Sequence, residues 1–321
     1  YGVLPLTDVT SSARAPSKPT ETVRAGANSP RVAATYELVP AYRWGIDYVP
    51  YNFDSTGDTG NAGPIFDQLY FRQAMQLLVD QPLYIDRLIK GYGVPTYGPV
   101  PVWPENPFAS RFEEKDPYAY NPAKAKALLE SHGWKVVPGG VSACVRPGTG
   151  SGDCGRGIKP GAKLSFTMQY ASGTKNLTHL MDAEKGSWSA VGIRMGLSSA
   201  TFNTVNAVAV PCPKGCSWEL ENWGGGWIYS PDYYPTGEEI FAKGAASNSG
   251  NFTTPTDDKL IAETDTTKLS LTKYENLLAK NLPVLWQPED VTVVEIHKGL
   301  EGVTPLNPIG AVTPAYWHWT K

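Results

Sequence analysis

Residues 164–197 read LSFTMQYASGTKNLTHLMDAEKGSWSAVGIRMGL, and the spacing of their apolar side chains changes twice along the stretch. Leu164, Phe166, Met168 and Tyr170 alternate with polar neighbours, as they do when one face of a strand is buried and the other meets water. Leu177, Leu180, Met181, Trp188 and Val191 then recur at helical spacing, which gathers them on one side of a helix. Ile193, Met195 and Leu197 alternate again. The order strand, helix, strand predicts a βαβ unit.

Outward from this unit the alternation continues. A helix at 272–281 followed by apolar strands at 284–286 and 291–296 extends it downstream. Upstream, Phe66, Leu69, Tyr70, Ala74, Leu77 and Leu78 form a stripe at helical spacing; Asp80 then caps a second helix that has Pro82 in its first turn and ends at Gly91. The clearest helix runs from Asn121 to Gly133. Asn121 offers a capping oxygen, Pro122 suits the first turn because an N–H there would find no helical partner, and Ala125, Leu128 and Leu129 form the buried face. Aromatic and β-branched residues without a helical period predict extended segments at 35–52. The chain is therefore of the α/β class.

Two stretches resist regular structure. GYGVPTYGPVPVWPENPF (91–108) carries five prolines and three glycines, which predict an ordered aromatic loop able to line a cleft. Residues 10–30, rich in Ser, Pro, Thr and Ala, follow an apolar strand at Val3, Leu4 and Leu6, and a strand so near residue 1 suggests an upstream portion. The first residues lack the charged and apolar regions of a signal peptide, and no apolar run reaches the roughly 20 residues that span a bilayer.

A net charge of −3 gives no basic surface for neutralising phosphates, which argues against nucleic acid as a partner. The four cysteines form two close pairs, Cys144/Cys154 in CVRPGTGSGDC and Cys212/Cys216 in CPKGC, each in a Gly- and Pro-rich loop. Two local disulfides are the simplest reading, with a four-cysteine zinc site as the rival, and they imply an oxidising, extracytoplasmic compartment.

No nucleophile elbow, zinc-protease helix, phosphate-binding loop or dinucleotide fingerprint occurs, and no cofactor or metal site is expected. His132, His179, His297 and His318 are scattered and read as structural or surface residues. The acidic pairs Glu113/Glu114, Asp257/Asp258 and Glu238/Glu239 could flank a glycosidic bond, yet solvated helix starts and loops explain them as well. By contrast, ten Trp and seventeen Tyr suit a cleft that binds without reacting. The richest loop is NWGGGWIYSPDYYPTGEEIF (222–241): its three glycines permit unusual backbone angles and close approach of a ligand, while Trp223, Trp227, Tyr229, Tyr233 and Tyr234 offer faces. The bland alternative is that these aromatics fill the core beneath a long loop.

Several stretches carry a resemblance to the C-terminal part of family 5 extracellular solute-binding proteins, the oligopeptide- and dipeptide-binding receptors of ABC importers. LYFRQAMQLLVDQPLYIDRLIKGYGVPTYGPVP (69–101) resembles that family's two helices and its proline loop, and YNPAKAKALLESHGW (120–134) is similar to its Y-[ND]-P-x-K-A helix. The loop at 222–241, SNSGNFTTPTDDKLI (247–261) and LPVLWQPEDVTVVEIHKGLEGV (282–303) resemble its later elements.

The resemblance implies the C-terminal lobe of a periplasmic-binding-protein-like (type II) fold, a mixed sheet with flanking helices, the N-terminal lobe lying outside this sequence. Residues 1–35 would be the end of a first-lobe strand plus a connector, 36–289 the ligand-binding lobe, and 290–321 a return towards the first lobe. It also implies capture rather than catalysis: a peptide-like solute, or in some relatives an oligosaccharide, enclosed between lobes and delivered to a membrane permease. The receptor would be periplasmic or lipid-anchored at the cell surface. Candidate ligand contacts are Trp44, Tyr48 and Asn52 near the crossing, Trp223, Trp227, Tyr229 and Asp232 in the lobe, Trp286 on the last strand, and Tyr97 in the proline loop. In peptide-binding members an aspartate of the W-G-x-D-Y loop holds the ligand's α-ammonium; Ser230 stands nearest that position here, with Asp232 two residues on. A secreted glycan hydrolase using Glu238 and Glu239 is the competing class.

Overall fold

The stretch 164–197 forms the predicted βαβ unit. In the computed structural model, which describes residues 2–9, 25–26, 35–56, 62–103, 107–209, 211, 217–229, 234–264, 267–303 and 314–320, the strands Ser165–Ala171 and Arg194–Ala200 pair in parallel. Phe166 lies opposite Met195 and Met168 opposite Leu197, so the alternating apolar residues share one face. The helix Lys175–Ala190 covers that face with Leu177, Leu180, Met181 and Trp188. A third strand, Leu220–Asn222, joins in parallel on the other side of Ser165–Ala171.

This parallel sheet meets an antiparallel one through a bridge between Tyr51 and Leu220 and through the Asn52 N–H, which donates to the Glu219 carbonyl at 2.9 Å. Gly45–Pro50 is the centre of the antiparallel group, with Val284–Gln287 on one edge and Trp227–Ile228 on the other. The result is a mixed sheet flanked by helices, as the α/β reading expected. A separate antiparallel sheet runs in the order Gly2–Leu4, Thr292–His297, Tyr36–Ala41, Ala25–Gly26. The chain thus passes between the two sheets twice, at 42–44 and at 288–291.

Local signals set the helices. The Asn121 carboxamide oxygen accepts the Lys124 N–H at 2.9 Å, and Asp80 accepts the Leu83 N–H at 3.1 Å, each satisfying a donor that the first helical turn leaves free. The helix Pro122–Ser131 buries Ala125 and Leu129 against Leu69–Gln76. The stripe from Phe66 to Leu78 is two helices, Ala62–Phe66 and Leu69–Gln76, broken at Gln68, whose backbone is extended. The break frees the Phe66 carbonyl, and the buried Arg72 guanidinium donates to it while two of its other N–H groups donate to the Asn281 carbonyl at 3.0 and 2.8 Å. Burial pulls Arg72 down to about 10, and the rings of Phe53 and Phe252 lie 5.4 and 5.6 Å from its charge.

Cys144 and Cys154 are joined in a disulfide with Cα atoms 6.1 Å apart, at the edge of the main apolar core. It closes the Gly-rich loop onto the sheet: the Cys144 N–H donates to the Ala162 carbonyl, and Cys154's carbonyl accepts the Tyr70 hydroxyl at 2.5 Å. Cys212 and Cys216 lie outside the described residues.

Candidate functional site

The loop after Leu220–Asn222 depends on two glycines. Gly224 has a φ of +79°, and its N–H donates to the Asn222 side chain at 2.8 Å, which turns the chain sharply. At Gly226 a Cβ would run into the Ile46 carbonyl oxygen. Without side chains here, Trp227–Ile228 can sit directly on Gly45–Pro50, and Trp223 and Trp227 are delivered on either side of a tight crossing.

They open onto a cleft of about 700 Å³. One wall is aromatic, with Tyr48, Trp223 and Trp227; another is the N-terminal end of Lys175–Ala190 with Leu177 and Leu180; Phe202 and Asn206 of the helix Phe202–Val208 close a third side. The volume falls within the range of pockets that enclose small solutes. Tyr48 is buried, with Trp223 edge-on at 5.6 Å, while Trp223 and Trp227 remain half-buried.

Of the residues singled out from sequence, Tyr48, Trp223 and Trp227 therefore come together around the cleft. Trp286 sits behind Tyr48 in the core, its ring 6.3 Å away, and Tyr229 is buried with its hydroxyl donating to the Pro99 carbonyl at 2.5 Å. Trp44 borders the same region and accepts the Tyr229 N–H through its carbonyl at 2.9 Å. Asn52 is fully buried, donating to the Trp218 carbonyl at 2.7 Å and accepting the Asp54 N–H at 3.1 Å. Tyr97 lines a separate small cavity with Gln76, Asp116, Tyr118 and Trp286, where burial and the Asp116 carboxylate raise its phenol. Asp232 and Ser230 lie outside the described residues, as does Tyr233. Glu238 and Glu239 are both exposed in a turn away from the cleft lining.

Three carboxyl groups that no motif marks also line the cleft: Asp47, Glu289 and Asp290. Burial pushes Asp47 up to about 8, with the charge of Asp290 adding to it. Glu289 is likewise raised to about 8, by burial and then by Asp47, with Arg43 opposing. The surrounding protein raises Asp290 to about 6, against the Tyr84 hydroxyl, which donates to it at 3.0 Å. Gly45 makes room for this group, since a Cβ there would lie 2.6 Å from a Glu289 carboxylate oxygen. The sequence signal was faint: a lone Asp in the apolar run at 45–51, and the acidic pair of QPED (287–290). Among the described residues no three His, Cys, Asp or Glu side chains are grouped to hold a metal ion, and no helix is long and apolar enough to cross a membrane.

The model for bacterial extracellular solute-binding proteins, family 5 (middle region), matches residues 8–236. Protein XP55 of Streptomyces lividans is 29% identical over 182 residues, which is 55% of this chain and 28% of that protein. Among solved structures, the oligopeptide-binding protein AppA of Bacillus subtilis in complex with a nonapeptide superposes with a TM-score of 0.63 at 17% identity, covering 89% of this chain and 53% of that one. Lactococcal OppA complexed with an endogenous peptide in the closed conformation gives 0.64 at 17% identity over 87% of this chain and 52% of that one. The ABC transporter substrate-binding protein CtaP of Listeria monocytogenes gives 0.67 at 14% identity over 90% and 53%. At these identities the structures speak for the fold, and this chain spans about half the length of each. With its mixed sheet, its aromatic cleft and a family match over most of its length, the chain belongs to the bacterial extracellular solute-binding proteins of family 5.

Proposed function

We propose that the chain is the larger part of the solute-binding lobe of an ABC importer's extracytoplasmic receptor, and that it captures a peptide-like solute without making or breaking a bond. The observation that carries this is the cleft of about 700 Å³, walled by Tyr48, Trp223 and Trp227, in a chain of this family. Indole and phenol faces bury the apolar parts of a solute, and the backbone exposed at Gly224–Gly226 offers hydrogen-bond groups that need no specific side chain. A second lobe closes over the cleft, and the two passages of the chain between sheets, at 42–44 and 288–291, are where the lobes join. The residues carrying capture are Tyr48, Trp223 and Trp227, with Trp286 and Tyr229 holding the aromatic wall from behind.

Several neighbours support a peptide rather than a sugar, since they are described as oligopeptide-binding or bound to peptide. The test is calorimetric titration of the full-length receptor with defined peptides of two to nine residues and with neutral oligosaccharides. Micromolar or tighter peptide binding that Trp223→Ala weakens at least tenfold is expected. Binding of oligosaccharides alone, or hydrolysis of either class, would overturn the reading.

A further inference from the structure

The chain's charge is unevenly placed. Residues 120–200 carry ten Lys and Arg against four Asp and Glu, a formal +6, whereas the rest of the chain has 18 against 27, or −9. Strand register gathers part of that excess on one surface. Lys135 lies opposite Ala143 in the antiparallel pair Trp134–Lys135 and Ala143–Cys144, and Ala143 is bridged in turn to Lys163. Residues directly opposite on neighbouring strands point to the same face, so Lys135 and Lys163 flank Ala143. Ser165, two residues after Lys163, pairs with Arg194, whose Nε donates to the Ser165 hydroxyl at 3.0 Å. Arg194 therefore shares that face. Arg146 and Lys159 stand close by in the disulfide-closed loop, two residues beyond Cys144 and four before Lys163.

All five cations are exposed, and among the described residues none of them is ion-paired. The acids of the same stretch do little to offset them. Glu130 is paired with Lys126 at 3.7 Å, Asp153 accepts the Gly150 N–H at 2.9 Å, and Glu184 is buried. Only Asp182, on the helix Lys175–Ala190, is both exposed and free of such a partner. Two apolar side chains stand among the cations: Val137 and Val145, two residues beyond Lys135 and Ala143, are 38% and 57% exposed. Unpaired cations interleaved with exposed apolar groups suit a lipid surface, whose phosphates meet the first and whose acyl boundary receives the second. A soluble polyanion would meet the cations alone.

We infer that this end of the lobe docks on a bilayer of anionic lipids, with Lys135, Lys163 and Arg194 against the headgroups and Val145 at the acyl boundary. The surface lies at the N-terminal ends of the parallel strands Ser165–Ala171 and Arg194–Ala200. The cleft, lined by Thr174 and Leu177, lies beyond the C-terminal end of Ser165–Ala171, roughly 20 Å away at the rise of an extended strand. A receptor resting on lipid through this end keeps its cleft open to solution. The inference does not depend on what the cleft holds.

The experiment is vesicle co-sedimentation of the full-length receptor in unacylated form. Vesicles of mixed phosphatidylglycerol and phosphatidylcholine are compared with phosphatidylcholine alone, at low and at physiological salt. Binding to the charged vesicles should be at least tenfold stronger than to the neutral ones and should weaken as salt rises. The triple variant Lys135→Gln, Lys163→Gln, Arg194→Gln should lose at least tenfold. The triple variant Lys243→Gln, Lys259→Gln, Lys273→Gln removes the same charge from exposed positions elsewhere and should lose less than twofold. Val145→Glu, at an exposed position, should weaken binding at least threefold. Equal binding to neutral vesicles, or equal loss in the two triple variants, would overturn the docking surface. Polyphosphate binding as tight as that of the vesicles, with Val145→Glu having no effect, would replace the bilayer by a soluble polyanion. If the first triple variant fails to fold, Val145→Glu and the dependence on lipid charge decide. None of these outcomes bears on solute capture, which is measured separately at the opposite end of the strands.

Discussion

The side-chain amide of Gln76 pairs with both backbone groups of Trp286: its Nε2 donates to the carbonyl at 3.0 Å, and its Oε1 accepts the N–H at 2.8 Å. The Gln76 side chain thereby takes the place of a neighbouring strand at this one residue of Val284–Gln287, and the backbone that carries the ring behind the cleft wall is fixed in place. Replacing Gln76 by Leu leaves both backbone groups unmet in a dry environment. We expect a loss of about 2–4 kcal/mol in stability by denaturant unfolding, with an unchanged slope.

Arg72 holds three carbonyl contacts across a helix break and a helix end, which needs a planar fork of donors. Lys supplies the charge but not the fork. Arg72→Lys should cost about 2–3 kcal/mol, read as a lowered melting temperature. A variant as stable as the parent would show that charge alone suffices.

The Cys144–Cys154 disulfide closes a loop of ten residues' separation. By loop-closure entropy its reduction should lower stability by about 2–3 kcal/mol without unfolding the chain, because the strands and helices around it keep their own core. Thermal unfolding with and without reductant checks this, and thiol counting on the denatured, unreduced protein tests the second pair proposed at Cys212 and Cys216.

Glu113 and Glu275 are fully buried near the Tyr274 hydroxyl, and no hydrogen bond satisfies the Glu275 carboxylate oxygens. Burial raises both, Glu275 to about 8 from an ordinary 4.5, and the charge of Glu275 pushes Glu113 up further. The folded state then binds more protons than the unfolded one. Their contribution is fully present below about pH 4.5 and disappears as pH climbs through about 8. Asp47, Glu184 and Glu289 act in the same direction. Stability should fall steadily from pH 5 to pH 9, and Glu275→Gln should flatten that slope and be the more stable protein at pH 9.

Gly226 lies so close to Ile46 that any side chain must displace the strand. Gly226→Ala should separate Trp227–Ile228 from Gly45–Pro50 and cost about 1–3 kcal/mol, with solute affinity falling more than stability accounts for. Gly225, with nothing within 4 Å of its would-be Cβ, should accept alanine with far less effect on both.

How much of this was legible from sequence follows the range of the interaction involved. The βαβ unit at 164–197 and the caps at Asn121 and Asp80 depend on residues within a few positions, so spacing and side-chain chemistry sufficed. The helix Lys268–Asn281 starts four residues before the expected 272, because its first turn exposes Leu269 and only the Thr267 cap, accepting the Ser270 N–H at 3.1 Å, marks its start. The split at Gln68 is set by Arg72 and by a carbonyl more than two hundred residues away, which no local pattern contains. In the cleft, a dense aromatic loop was enough to flag Trp223 and Trp227. The sorting of Tyr48 to the cavity and Trp286 behind it comes from cross-strand register, and the meeting of Asp47 with Glu289 and Asp290 joins segments far apart in the chain.

The edge-on contact between Tyr48 and Trp223 has a spectroscopic consequence. Trp188 and Trp286 are sealed in the interior, whereas Trp223 and Trp227 are half in water at the cleft. The chain thus holds blue-emitting indoles inaccessible to iodide and red-emitting ones open to it, the latter at the cleft and also at Trp319, which is 63% exposed and away from the cleft lining. A solute entering the cleft dries Trp223 and Trp227 and leaves Trp319 wet, so in a Trp319→Phe background intrinsic fluorescence and its quenching make the protein its own gauge of occupancy, with no label attached.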